Sequence, residues 1–173
     1  VPLPGSVTVM VGWKSTRMTD LSKRSVTFRV GIIGGGSISE QHLSALTGIK
    51  NVNVVGVCDL SESLARFTAE RFCVKHSFTD YQKMLKAVEC NVVHVLTPPA
   101  SHDSIVRECI LAGCDVVVEK PVALSHQAFQ DLWEFAQRHG RRLVENQNYR
   151  FNTPIIRLRD AFTSGRLGVV EEI

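Results

Sequence analysis

Nowhere does an apolar run approach the roughly 18 residues that a membrane-spanning helix requires, so no membrane span is expected. The Val7 to Val11 stretch is too short for a signal-peptide core, and the basic residues follow it instead of preceding it. The five cysteines, Cys58, Cys73, Cys90, Cys109 and Cys114, are odd in number, include no C-x-x-C pair and sit in apolar runs. They read as buried, reduced thiols of a cytoplasmic protein, and no metal site is expected. A basic face is missing too. The formal charge of +3 is fully accounted for by Lys14, Arg17, Lys23 and Arg24 against Asp20, and from Arg29 onward acidic and basic side chains balance. That balance removes the electrostatic footprint of a nucleic-acid or anionic-membrane binder. There is no internal repeat and no low-complexity tract.

What is present fits a globular chain: 173 residues, 44% hydrophobic and 21% charged. A chain near 150 residues buries roughly 70% of its unfolded surface, so the core needs no disulfide or metal to supplement it. Residues 1–27 hold Pro2, Pro4, Gly5 and Gly12 without useful periodicity and are expected to be a disordered leader, with an extra strand or arm as the rival reading. Met18, opening Met-Thr-Asp-Leu-Ser, is a candidate start.

Beyond residue 27, short β-branched runs alternate with amphipathic stretches. The runs begin with Phe28 to Ile33 and continue through Asn53 to Cys58, Val74 to Phe78, Asn91 to Leu96, Asp115 to Glu119 and Arg142 to Glu145. Between them, helices are predicted over Ser37 to Thr47, along a face carrying Leu60, Leu64, Phe67 and Phe72, over Tyr81 to Val88, and over Ser101 to Ala112 with Gly113 as its stop. Ser125 is a good N-cap for a helix carrying Phe129, Leu132, Trp133 and Ala136 that stops at Gly140. Nearly continuous valine strands separated by helices predict an α/β fold, a doubly wound and mostly parallel sheet covered on both faces.

Three clusters carry chemistry. The first strand runs into Gly34-Gly35-Gly36-Ser37-Ile38-Ser39, where Gly34 permits a tight turn, Gly36 admits a pyrophosphate to the backbone, and a small residue at 39 allows close helix packing. The helix behind it offers N–H groups and a positive dipole end to phosphate. The ligandless alternative is a glycine-rich turn. Asp59 ends the second strand and can accept two ribose hydroxyl bonds while repelling a 2′-phosphate, which favours NAD over NADP. Its alternative is as N-cap of the next helix. S-adenosylmethionine enzymes use a similar loop and acid, so further residues must decide. Thr97-Pro98-Pro99 with His102, and Glu119-Lys120-Pro121, follow later strands, and loops at strand carboxyl ends line the ligand crevice of such a sheet. His102 can touch a cofactor or bond locally.

These residues resemble the Gfo/Idh/MocA oxidoreductases, which include glucose-fructose oxidoreductase and inositol dehydrogenases. The resembling segments are Val30 to Ser39 with His42, Val57-Cys58-Asp59, Val95 to Pro99 with His102, Val116 to Pro121, and Asn148-Tyr149-Arg150-Phe151. Serine at position 39, where the family has glycine or alanine, is a departure. The resemblance implies a Rossmann domain over 28–146 and hydride transfer between NAD(P) and a sugar, cyclitol or related carbinol. Lys120 is the implied catalytic residue; Gly34, Gly36, Ser37, Ile38, Asp59, Thr97, Pro98, His102 and Glu119 are implied on the cofactor, and Asn148 and Arg150 on the substrate side. An ammonium at Lys120 stabilises alkoxide character on the reacting oxygen; an ion pair with a neighbouring acid is the bland alternative. Glu119 contacts the nicotinamide side or simply terminates its strand.

Family members are about twice this length, with a second α+β domain whose sheet forms the substrate pocket and mediates association. Residues 147–173 are accordingly expected to be a linking helix, from Ile155 to Phe162, and the first strand of that domain. The chain is expected to be a fragment inactive alone and a homo-oligomer when full length. A non-catalytic dinucleotide-binding sensor or partner module is the alternative.

Overall fold

Aliphatic and β-branched residues occupy the segments that extend, and the stretches with helical spacing coil between them. The strands are β1 (Phe28–Ile33), β2 (Val52–Cys58), β3 (Ser77–Phe78), β4 (Val92–Val95), β5 (Asp115–Val118) and β6 (Leu143–Glu145). The helices are α1 (Ser37–Thr47), α2 (Glu62–Arg71), α3 (Tyr81–Ala87), α4 (His102–Leu111), α5 (His126–Arg138) and α6 (Thr153–Thr163). The computed structural model describes residues 27–166 and Gly168. The expected leader over 1–27, Thr27 aside, and the expected strand from Gly168 to Ile173, Gly168 aside, lie outside the described residues.

All five strand pairings are parallel, in the order β3-β2-β1-β4-β5-β6. This is the doubly wound α/β sheet expected of the valine strands, and its order reverses between β1 and β4. On one face, Ile33, Val93, Val95, Val116 and Val118 pack with Met84, Val106, Ile110 and Leu132 of α3, α4 and α5. On the other, Val30, Ile32 and Val57 pack with Leu43 and Leu46 of α1 and Ala69 of α2. Each such aliphatic side chain, fully buried, contributes about 1.5–3 kcal/mol. Side-chain caps begin α2, α3 and α5: Ser61 accepts from the Leu64 amide, Asp80 from Gln82 and Lys83, and Ser125 from Ala128.

Three expectations need correction. The inward face of α2 is only partly the one expected: Phe72 packs on the core and Leu64 is half-buried, but Ala65, Thr68 and Ala69 are the buried residues, while Leu60 is 94% and Phe67 56% exposed. Small residues win because α2 must approach the glycine turn closely enough for Thr68 Oγ1 to donate to the Gly35 carbonyl at 3.0 Å. The sheet is not fully covered on both faces. On the α1 side, Val92, His94 and Val117 are only partly buried and Val144 is 50% exposed, because α1 and α2 sit over β1 and β2, and α6 buries none of its residues. Among the cysteines, Cys58, Cys109 and Cys114 are buried, but Cys90 is half-buried and Cys73 is exposed. Cys73 closes the turn after α2 at φ 53°, with its amide on the Glu70 carbonyl, which turns it away from the core.

Candidate functional site

The parallel sheet delivers the carboxyl ends of β1, β2, β4 and β5 to one edge, and with them the three predicted clusters. The loop after β1 is held on every side. The Gly34 amide donates to the Cys58 carbonyl at 2.8 Å, and Gly34 sits at φ 104°. A Cβ there would lie 2.8 Å from the Leu96 carbonyl oxygen, so only glycine fits. The Gly35 amide donates to Asp59 Oδ2 at 2.8 Å, and its carbonyl accepts from Thr68. At Gly36 a Cβ would meet nothing within 4 Å, which leaves open space beside the backbone. Ser37 and Ile38 then open α1, whose N-terminus has no side-chain cap. Ser39 is fully buried, with its hydroxyl donating to the Gly36 carbonyl at 2.6 Å. A serine therefore fits at the helix entry, packed closely and with its polar atom satisfied.

Asp59 is not the N-cap of α2; Ser61 is. The Asp59 carboxylate instead joins Gly35 to the Ser61 amide, which donates to Oδ1 at 2.9 Å. It is partly exposed, and each oxygen keeps acceptor capacity for a further donor. Across the sheet reversal, the Leu96 amide donates to the Ile33 carbonyl and the chain turns at Thr97-Pro98 into a short 3-10 segment, Pro99–Ser101. Ser101 donates to Thr97 Oγ1 at 2.8 Å. His102 departs from a cofactor-contacting role. It is fully buried, with Nε2 on the Thr97 carbonyl at 2.7 Å and Nδ1 on the Pro121 carbonyl at 2.9 Å. The ring nitrogens face one carbonyl of each loop, with the N–H donating to one of them, and the fully buried side chain has no surface to offer a ligand.

Glu119 ends β5 and is 9% exposed. Its Oε1 accepts from Asn146 Nδ2 and from His42 Nε2, the latter at 3.1 Å, and its Oε2 accepts from the Lys120 amide at 3.3 Å. Burial pushes this carboxyl up, but donors from Asn146, His42 and Lys120 outweigh it and hold the group below its ordinary value. Behind His42, His94 Nδ1 lies 2.8 Å from His42 Nδ1. Burial, then the neighbouring His42, push the His94 imidazole down to about 4, so it is neutral near pH 7. The Lys120 ammonium is 4.0 Å from Glu119 Oε2 and 5.9 Å from the Tyr149 ring centre, on a side chain 41% exposed. The Lys120–Pro121 peptide is cis. Asn148 and Arg150 lie exposed on a 3-10 turn, Asn148–Phe151, and their side chains enter no hydrogen bond among the described residues.

His94 and Asn146 belong to this network, and neither was singled out by motif; His42 entered only within a resembling segment. A signal existed for one of them: a histidine in the valine run Asn91 to Leu96 needs a polar partner inside the sheet. Among the described residues no group of three or more His, Cys, Asp or Glu side chains can hold a metal ion.

Residues 28–147 match the family model described as the GFO_IDH_MocA oxidoreductase family, NAD-binding Rossmann fold. The chain belongs to the Gfo/Idh/MocA oxidoreductase family. It is 32% identical over 147 residues to D-glucoside 3-dehydrogenase of Escherichia coli (strain K12), covering 84% of this chain and 42% of that protein. To inositol 2-dehydrogenase of Salmonella typhimurium it is 26% identical over 146 residues, covering 83% of this chain and 44% of that protein. Scyllo-inositol dehydrogenase from Lactobacillus casei, solved with NAD(H) and scyllo-inositol, shares the fold with TM-score 0.76 at 19% identity, over 82% of this chain and 42% of its own. The chain thus spans less than half the length of the curated relatives it matches. Within this family, it is the cofactor-binding Rossmann module of an oxidoreductase. No helix among the described residues is long and apolar enough to cross a membrane.

Proposed function

We propose that this chain binds NAD, in preference to NADP, along the crevice from Gly36 to Lys120, and serves a dehydrogenase acting on a sugar, cyclitol or related carbinol. The observation that carries the reading is the open space over Gly36 at an uncapped helix N-terminus, on the same sheet edge as Lys120. A Cβ would fill that space, and unpaired amides with a positive dipole end suit a pyrophosphate there. The residues present therefore fit a dinucleotide. Asp59, anchored by two backbone amides, has acceptor capacity left for ribose hydroxyls and would repel a 2′-phosphate. The nicotinamide supplies hydride exchange when bound. Lys120 holds or moves a proton at the substrate oxygen from its Nζ, and His102 ties the two loops flanking it. The incompletely covered face of β4 to β6, with the exposed Ile155, Leu158 and Phe162 of α6, supports packing against a substrate domain or a second copy. Five cysteines without a disulfide suit the cytoplasm.

Calorimetric titration with NAD and NADP tests the binding. NAD is expected to bind more tightly by about 1–3 kcal/mol, the range for bonds to a charged group. Equal or tighter NADP binding, or an Asp59→Ala variant with unchanged NAD affinity, refutes the assignment.

A further inference from the structure

We propose that His42 and Asn146 are positioning residues that fix the Glu119 carboxylate as a negative charge favouring the oxidised over the reduced form of a bound nicotinamide. The proposal rests on the NAD reading above. Four elements converge on this one carboxylate: His42 from α1, His94 from β4, Glu119 at the end of β5, and Asn146 just after β6.

Asn146 Nδ2 and His42 Nε2 lie 3.2 Å apart and both reach Glu119 Oε1. A carboxylate can only accept, so His42 must carry a proton on Nε2 to bond Oε1. His94, neutral and behind it, meets Nδ1 of His42 edge-on, with the rings at 89° and their centres 5.1 Å apart. That contact fixes the His42 ring plane and keeps Nε2 aimed at Glu119. Asn146 adds a second donor to the same oxygen. Oε1 is thereby anchored, while Oε2 takes the Lys120 amide and faces the crevice residue Lys120.

Burying an ionised carboxylate is costly unless it is paired, and strand termination alone does not require a charge. The charge stands where it can act on a ligand. In a doubly wound sheet a dinucleotide spans the reversal with one nucleoside on each half. The glycine turn and Asp59 place the adenosine half over β1 and β2, which leaves the other nucleoside over β4 and β5, where Glu119 lies. The oxidised nicotinamide ring is a cation and the reduced ring is neutral, so a fixed anion binds the two differently. Lys120 opposes this effect, but its side chain is 41% exposed against 12% for Glu119, so water screens the ammonium more than the carboxylate.

The test is the ratio of the dissociation constants for NAD+ and NADH on the same chain, by calorimetry for the first and nucleotide fluorescence for the second. Glu119→Gln is expected to move the ratio roughly tenfold toward NADH. His42→Ala and Asn146→Ala are expected to move it the same way by about threefold. His42→Gln, which keeps a side-chain N–H, should restore it. Melting curves on each variant show which are folded, and Asn146→Ala, at the network's outer edge, serves if His42→Ala does not fold. A structural role alone weakens both nucleotides in parallel; an unchanged ratio in folded Glu119→Gln overturns the proposal, as does a shift toward NAD+, which would mean that Lys120 dominates. A wild-type chain that binds neither nucleotide overturns the NAD reading, and the proposal falls with it.

Discussion

Two glycines two residues apart in one loop should respond oppositely to substitution. At Gly36 the backbone is extended, with φ −69° and ψ −175°, and a Cβ would meet nothing within 4 Å. Gly36→Val therefore introduces no backbone strain and no clash at Cβ, but valine is a poorer helix N-cap than glycine, so the cost should be about 1 kcal/mol. At about 2–4 °C per kcal/mol for a domain of this size, the melting temperature should fall by about 2–4 °C. At Gly34, φ is 104° and a Cβ would sit 2.8 Å from the Leu96 carbonyl oxygen and 2.9 Å from its carbon, both backbone atoms that cannot swing aside. Gly34→Ala incurs strain of about 1–3 kcal/mol before the clash is counted, so its melting temperature should fall by about 2–12 °C from strain alone, and further from the clash. The binding outcome reverses the ranking: Gly36→Val should abolish NAD binding on a folded protein, because the side chain fills the pyrophosphate's approach. Paired melting curves and NADH fluorescence titrations read both quantities. A Gly36→Val protein that binds normally means the loop is only a turn, and one that melts far below the wild type means the space beside Gly36 is not open.

Three further outcomes are expected. His94 is neutral in the fold at about 4 and has an ordinary value of 6.5 when unfolded, so the unfolded state takes up the proton first and stability falls as pH drops from 6.5 toward 4, by about 3 kcal/mol in all; Glu119, lowered from 4.5, adds a second loss below that value. Urea titrations across this range should show the slope, and a His94→Gln variant that keeps the slope between pH 6.5 and 4 would contradict the assignment. His102→Leu strands the loop carbonyl that accepts the ring N–H, at about 1–3 kcal/mol for the unsatisfied group, so the melting temperature should fall by about 2 °C or more and NAD affinity with it; a variant that melts with the wild type removes the joining role. The Lys120 side chain is 41% exposed, too open to water to hold a substrate hydroxyl in place, so NADH formation from sugars, inositols and sugar acids should be undetectable, since poor positioning forfeits roughly 7–11 kcal/mol of barrier lowering; turnover that vanishes in Lys120→Ala would contradict this.

The valine strands and their spacing made the parallel sheet legible, because β-branched runs between helices mark parallel strands, but they also implied cover on both faces, which the α1 side of β4 to β6 lacks. The glycine loop was legible as a tight strand-to-helix turn and Asp59 as an acid closing the second strand, and the two meet where the Gly35 amide donates to Asp59. The α2 face was misjudged because hydrophobic size was taken as the guide, whereas the distance to Gly35 decides which residues fit, and Ala65, Thr68 and Ala69 are small. His102 was ambiguous because a histidine after a loop carries no mark of which way its ring points; two carbonyls on opposite sides of it settle the matter. The Glu119 network was invisible as a motif, since its four members lie on four elements and meet only once the sheet is assembled.

On the proposed reading, one dinucleotide lies across the sheet reversal, from the glycine loop to Lys120. Backbone amide shifts during a titration of isotope-labelled protein with NAD test it most directly. Saturable shifts are expected at Gly34 to Ile38, at Asp59, at Thr97 and at Glu119 and Lys120, with little change along α5. Shifts confined to the glycine loop and Asp59, sparing Glu119 and Lys120, would contradict it.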